Sequence, residues 1–227
     1  MIQPPDLYHR VAAWPEPFDP PPTSPPLGTS TDLGHRYDAP DASWLTLYTA
    51  GSGDGAFGEK LAYFRFSQGL EQKIDDFLEA DPDQPEPPSR AELGSEDVDD
   101  WTYGTAEANQ EVWLIDVMHP HTHEACWPAL RSLLAAYGHH RMDNGATLSP
   151  NRLLTRQIAG HLHELAVATI GEGVAVAGLR FESSLWSEWE CFALWEPLEL
   201  APSQIAPVSL DDDDLRSAAA KLNVHIA

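Results

Sequence analysis

Three polar residues punctuate the stretch 34–70, GHRYDAPDASWLTLYTAGSGDGAFGEKLAYFRFSQGL: Arg36, Tyr48 twelve positions on, and Glu59 eleven further. Glu59 is the informative one. It belongs to a helix in which Phe57, Leu61 and Phe64 share one face, while Tyr63, Phe66 and Leu70 fall with Glu59 on the other. A helix apolar on both faces is a buried helix, and a carboxylate on it needs a reason because an unpaired buried charge is costly. Two reasons compete: a role in a site, or a place in the first turn, where the helix dipole favours negative charge.

Other residues carry weaker chemical signals. His119, His121, His123 and Glu124 include the His-x-His spacing of some metal sites, but no second ligand cluster matches and His-Glu-x-x-His is missing; surface histidines beside a proline explain them, and no metal is expected. Ser183 and Ser184 follow an apolar run and suit either ligand hydrogen bonding or a simple turn. Arg10 lies in DLYHRVAA, where a surface arginine on a strand edge is the simpler reading.

The elements that must position these residues follow in order. Residues 6–13 read as a strand, 14–30 as a proline-rich loop packed over the domain, and 44–48 as a short strand. Residues 50–58 hold four glycines and an aspartate and read as a tight loop before the Glu59 helix. Residues 71–100 are acidic and proline-rich, a solvated insertion or lid without calcium-loop spacing. Then come a strand at 111–118, a helix at 127–137 with Pro128 in its first turn, a helix over 150–170, a buried strand VAVAGLRF, and the strand ECFALWEPLEL. Residues 201–227 read as a tail with one capped helix after an acidic run.

Composition bounds the function. The chain has 227 residues, 42% of them apolar, enough for one large domain. A formal charge of −23, from 36 acids against 13 Lys and Arg, disfavours nucleic acid and anionic membranes, though a basic pocket inside an acidic shell remains compatible with it. Two cysteines, Cys126 and Cys191, imply no disulfide framework. With no leader-like or membrane-spanning run visible, a cytoplasmic protein is expected.

Several segments together resemble the RES-domain family, the toxin half of bacterial Xre–RES toxin–antitoxin pairs. The matching runs are Leu7-Tyr8-His9-Arg10-Val11, the turn Gly34-His35-Arg36-Tyr37, the strand ending in Tyr48, the glutamate-bearing helix with Glu59, Thr155, Gly178-Leu179-Arg180-Phe181-Glu182-Ser183, and Cys191-Phe192-Ala193-Leu194-Trp195-Glu196. They span residue 6 to about 197. Asp38 stands where the family often has Asn or Ser, and Glu182 where it has Pro.

The resemblance implies a mixed α/β (α+β) fold similar to ADP-ribosyltransferases, a split, curved sheet with helices outside, in one domain. Short strands and the lack of a regular βαβ repeat also argue against a doubly wound parallel sheet. It implies an enzyme that cleaves the nicotinamide–ribose bond of NAD, with water or phosphate as acceptor, and with NAD as substrate rather than cofactor. Glu59 would stabilise positive charge on the ribose. Arg36 would grip the pyrophosphate. Tyr48 would stack on nicotinamide or position the ribose, and Ser183 would hydrogen-bond the ribose or amide. Arg10, Gly34, His35, Tyr37 and Ser184 are the further expected NAD contacts. An Xre-type antitoxin would be the protein partner, and a homo-oligomer is left open. The competing readings are a protein mono-ADP-ribosyltransferase using the same site, and a catalytically silent module whose acidic surface engages a basic partner.

Overall fold

A computed structural model describes residues 1–13, 16–19, 21–30, 33–62, 92–170, 175–196 and 198–227. Among them, seven strands form one sheet: β1 (Tyr8–Ala13), β2 (Thr46–Ala50), β4 (Trp101–Ala108), β5 (Trp113–Asp116), β6 (Val176–Glu182), β7 (Glu190–Trp195) and β8 (Leu200–Pro207). Their order across the sheet is β5-β6-β7-β2-β1-β4-β8. Only β5 and β6 run parallel; every other junction is antiparallel. Two short strands, β3 (Glu92–Leu93) and β9 (His225–Ile226), make a separate parallel pair. The architecture is a mixed α/β single domain with a mostly antiparallel open sheet, not a doubly wound one.

The central junction is unusual. β1 pairs with β4 over six positions and β2 with β7 over five, but β1 and β2 meet only through His9 and Ala50. The two halves of the sheet are therefore joined by a single residue pair.

Among the described residues six helices accompany the sheet: α1 (Gly53–Leu61), α2 (Ser95–Val98), α3 (Pro120–Ala136), α4 (Asn144–Thr147), α5 (Arg152–Ile170) and α6 (Asp213–Leu222). On one side α5 buries Leu154, Ile158 and Leu162, spaced one helical turn apart, against Leu179, Phe181, Ala193 and Trp195. A second core joins Phe57 and Leu61 of α1 to Leu215, Ala218 and Leu222 of α6, with Trp189 between them. A third core takes the alternate residues of β7, Phe192 and Leu194, with Tyr8 and Leu47. β7 is thus buried on both faces, as its unbroken apolar run requires.

Several expectations need correction. The glycine-rich run 50–58 is mostly helix, beginning at Gly53 with Ser52 as its cap, Gly55 N–H donating to Ser52 Oγ at 3.2 Å. Its glycines serve close packing rather than free turning. A Cβ on Gly58 would lie 2.1 Å from Trp189, and one on Gly53 would strike the Asp214 carboxylate. The helix α3 starts at Pro120, so Pro128 lies inside it rather than in its first turn, where it removes one backbone hydrogen bond. Strands β4 and β8 are absent from the sequence reading. The segment 201–227, expected to be a tail, carries all of β8 but its first residue and the helix packed on α1, so it is part of the fold. Of the acidic segment 71–100, residues 71–91 lie outside the described residues, as do Tyr63, Phe64, Phe66 and Leu70; residues 92–98 form β3 and α2, with Leu93 fully buried.

Candidate active site

The turn after the proline-rich loop is tied down from two sides. Asp38, 6% exposed, accepts three hydrogen bonds: Oδ1 takes the Tyr48 hydroxyl at 2.9 Å, and Oδ2 takes the His35 amide at 2.7 Å together with the Ser24 hydroxyl. From below, the fully buried Arg156 donates to the carbonyls of Leu33 at 3.0 Å, Pro25 at 2.9 Å and Ala39. A guanidinium satisfying three backbone carbonyls holds irregular chain that has no sheet or helix partner. Gly34 takes the left-handed conformation with φ +62°, and a Cβ there would fall 2.3 Å from Ser24 Oγ.

This turn carries His35 and Arg36 into a cleft of about 430 Å³ that spans the single-pair junction of β1 and β2. Tyr37 points the other way. It is fully buried, its ring packs on Phe181 and its hydroxyl donates to the Thr147 carbonyl at 2.9 Å. Tyr37 and Gly34 therefore shape the turn and do not line the cleft, a correction to their expected role as NAD contacts.

Arg10, His35, Arg36, Tyr48, Glu59 and Ser184 all line the cleft. Arg10 is on a central strand, not an edge: β1 lies between β2 and β4. Burial pushes its guanidinium down to about 10, and one nitrogen donates to the Asp19 carbonyl at 3.4 Å. The Tyr48 hydroxyl accepts from the Tyr37 amide at 2.8 Å while donating to Asp38, so it is fully engaged. Burial first, and the Asp38 carboxylate second, push the Tyr48 phenol well above its ordinary value. Tyr48 is thus a neutral strut that presents its ring, with the His35 ring packed on it at 5.3 Å.

Glu59 is the seventh residue of α1, beyond the first turn, so the dipole does not explain it. Nor is it a buried charge, being solvent-exposed. One carboxylate oxygen accepts the Ser183 hydroxyl at 2.5 Å and lies 3.7 Å from Cys191 Sγ. Ser183 is buried, and its oxygen in turn accepts the Leu185 amide at 3.1 Å. Ser184 is exposed and receives a long 3.5 Å hydrogen bond from Arg36. The two neighbouring serines therefore divide between Glu59 and Arg36. Burial, then the Glu59 carboxylate, hold the Cys191 thiol well above its usual range.

Two cleft residues escaped the sequence reading. Arg152 opens α5 and lines the cleft, and burial followed by repulsion from Arg36 lowers its pKa. Lys60 lines it too, seated 4.9 Å over the Trp101 ring, with burial lowering its pKa. Only the scarcity of basic residues could have drawn attention to either. Arg10, Arg36, Lys60 and Arg152 are four of the chain's 13 Lys and Arg, and among the described residues lining the cleft Glu59 is the sole carboxylate. The site pairs one fixed negative group with an anion-attracting wall.

The histidine run lies elsewhere, at the start of α3: His119 Nδ1 caps it by accepting the His121 amide at 3.1 Å, and His123 Nε2 sits 2.8 Å from the Val117 carbonyl. No group of three metal-ligating side chains occurs among the described residues. None of their helices is long and apolar enough to cross a membrane. Comparison of the chain with protein families, with curated proteins and with solved structures finds no match.

Proposed function

We propose that the chain is a RES-type enzyme that degrades NAD by cleaving its nicotinamide–ribose bond, and that an Xre-type antitoxin is its natural restraint. One observation supports this reading above the rest: Glu59, fixed by Ser183, shares a cleft with Arg36 and three further cations in a protein of net charge −23. NAD presents the matching pattern, an anionic pyrophosphate beside a ribose that becomes positive as the bond breaks.

In this mechanism nicotinamide departs with the bonding electron pair and is neutral once free, so no general acid is required. Positive charge develops on the ribose as an oxocarbenium-like state. The Glu59 carboxylate stabilises it, held in one rotamer by the Ser183 hydroxyl. Arg36 grips the pyrophosphate. Tyr48, locked to Asp38 and the Tyr37 amide, keeps the turn that carries Arg36 in place and offers its ring to nicotinamide. Water or phosphate then adds to the ribose carbon and yields its proton to solvent. On this reading the fold belongs with the ADP-ribosyltransferase-like folds, their split sheet corresponding to the single-pair β1–β2 junction.

Incubation of the purified protein with NAD, with and without phosphate, tests the reading. Free nicotinamide with ADP-ribose marks hydrolysis, ADP-ribose 1″-phosphate marks phosphorolysis, and label on protein marks ADP-ribosyl transfer. Intact NAD after prolonged incubation with folded protein overturns it and favours a non-enzymatic binding module.

A further inference from the structure

Arg36 and Arg152 come from distant parts of the chain, one on the tied-down turn and one at the first position of α5, yet both line the same cleft. Each keeps a buried N–H group unmet: Arg36 Nε and Arg152 Nη1 have no hydrogen-bond partner among the described residues. Neither guanidinium forms an ion pair there. Buried polar groups are rarely left so, and an unmet donor on a charged group is costly. The arrangement is also self-repelling, since Arg36 lowers the pKa of Arg152.

Among the described residues no acid neutralises the pair, in a chain that carries 36 Asp and Glu. Asp38 is within electrostatic reach of Arg152, but its oxygens are already taken by Tyr48, His35 and Ser24. Glu59 gives one oxygen to Ser183 and makes no ion pair with either arginine. Two guanidiniums that line one cleft, each with an unmet N–H group and neither with a carboxylate partner among the described residues, constitute an incomplete binding site. The missing component carries at least two negative charges on acceptor oxygens spaced to reach both forks.

Building on the NAD reading, we infer that Arg152 is a binding and specificity residue that closes with Arg36 on a diphosphate, so that the cleft selects pyrophosphate-linked dinucleotides over mononucleosides carrying the same nicotinamide. One guanidinium would suffice for a single phosphate; the second adds discrimination only where a second phosphate is present. Lys60 and Arg10 supply unspecific attraction, being seated on Trp101 and bonded to the Asp19 carbonyl.

The test measures the affinity of ADP-ribose and of nicotinamide riboside for the full chain by calorimetry, with wild type, Arg152→Ala and Arg152→Lys. ADP-ribose carries the diphosphate and no cleavable nicotinamide; the riboside carries nicotinamide and no phosphate. Arg152→Ala is expected to weaken ADP-ribose by on the order of 10-fold or more, the scale of a lost charge-assisted hydrogen bond, and to leave the riboside unchanged. Arg152→Lys keeps the charge but loses the fork, and falls between. If the alanine variant does not fold, the lysine variant decides: a loss confined to ADP-ribose supports the inference, and unchanged ADP-ribose affinity overturns it. Equal losses for both ligands would also overturn it. The NAD reading stands or falls separately. Weakened ADP-ribose in the variants, with no NAD cleavage by wild type, keeps the diphosphate site and removes the enzyme; NAD cleavage by wild type with unchanged ADP-ribose affinity does the reverse.

Discussion

Replacing Glu59 with glutamine separates a catalytic carboxylate from a structural one. The substitution removes one charge and almost no volume, and the replacement amide still offers an oxygen to the Ser183 hydroxyl, now 2.5 Å from the carboxylate. Glu59 lies beyond the first turn of α1 and is solvent-exposed, so neither dipole stabilisation nor burial of charge is at stake. Stability should move by no more than about 0.5 kcal/mol, the range of surface substitutions away from special features. Turnover of NAD should fall on the order of 100-fold or more, the scale of losing one preorganised electrostatic group, about 2.7 kcal/mol of barrier. ADP-ribose affinity should hardly change, because the charge being stabilised exists only as the bond breaks. A further readout lies in Cys191. Its thiol is held up partly by the Glu59 charge, so Glu59→Gln should lower the thiol pKa, though burial keeps it above the ordinary value. The assays are denaturant unfolding, single-turnover NAD cleavage, calorimetry, and the pH dependence of Cys191 alkylation. Full turnover by a folded Glu59→Gln protein would refute the assignment.

Three further outcomes follow from the packing around the site. Tyr48→Phe removes the acceptor of the buried Tyr37 amide and one donor to Asp38; unfolding should cost about 1–3 kcal/mol less, and an unchanged denaturation midpoint would show that the turn does not depend on this strut. Gly58→Ala drives a methyl to 2.1 Å from the Trp189 ring, and the overpacking should cost about 1–3 kcal/mol, read from the same denaturation curves. Burial lowers the pKa of both His9 and His163 below the ordinary 6.5, so below that value the unfolded chain takes up protons that the native rings resist, and stability falls as pH drops from 7. Asp214, whose pKa is raised, opposes this trend at lower pH; thermal unfolding between pH 7 and 5 should show a shallower slope for His163→Gln than for wild type.

What the sequence revealed depended on how local the cause was. The α5 stripe Leu154, Ile158, Leu162 and Leu165 and a capped helix after the last acidic run are local signals; the first three leucine and isoleucine positions are buried while Leu165 is exposed, and the cap is Asp212. β8 was not legible: it is an edge strand with Pro202 and Pro207 and an exposed middle, lacking an alternating apolar pattern. The glycines of α1 misled because their purpose is tertiary; Gly58 is small for Trp189, which lies 131 positions away. In the site, Arg36, Tyr48 and Glu59 stood out as polar residues among apolar or glycine-rich surroundings. Arg152 had no such contrast, since an arginine opening a helix after Pro150-Asn151 looks like any surface arginine. Its significance appears only when the fold brings it beside Arg36.

On the proposed reading the acidic composition and the cationic cleft would act on different ligands, because they act over different distances. A nucleic acid must lay many phosphates along a surface, and its binding depends on numerous cations there. At −23 the surface opposes that at every step. A small diphosphate makes no such demand. Screening limits exposed charges to about 8 Å at physiological ionic strength, whereas Arg10, Arg36, Lys60 and Arg152 act at contact in a partly desolvated cleft, where Coulomb terms are several-fold stronger. On that reading the net charge would limit the size of anion that reaches the site, and the four cleft cations would set its chemistry. On the same reading, an acidic protein with this cleft would repel polyanions without sacrificing a ligand that carries only two phosphates.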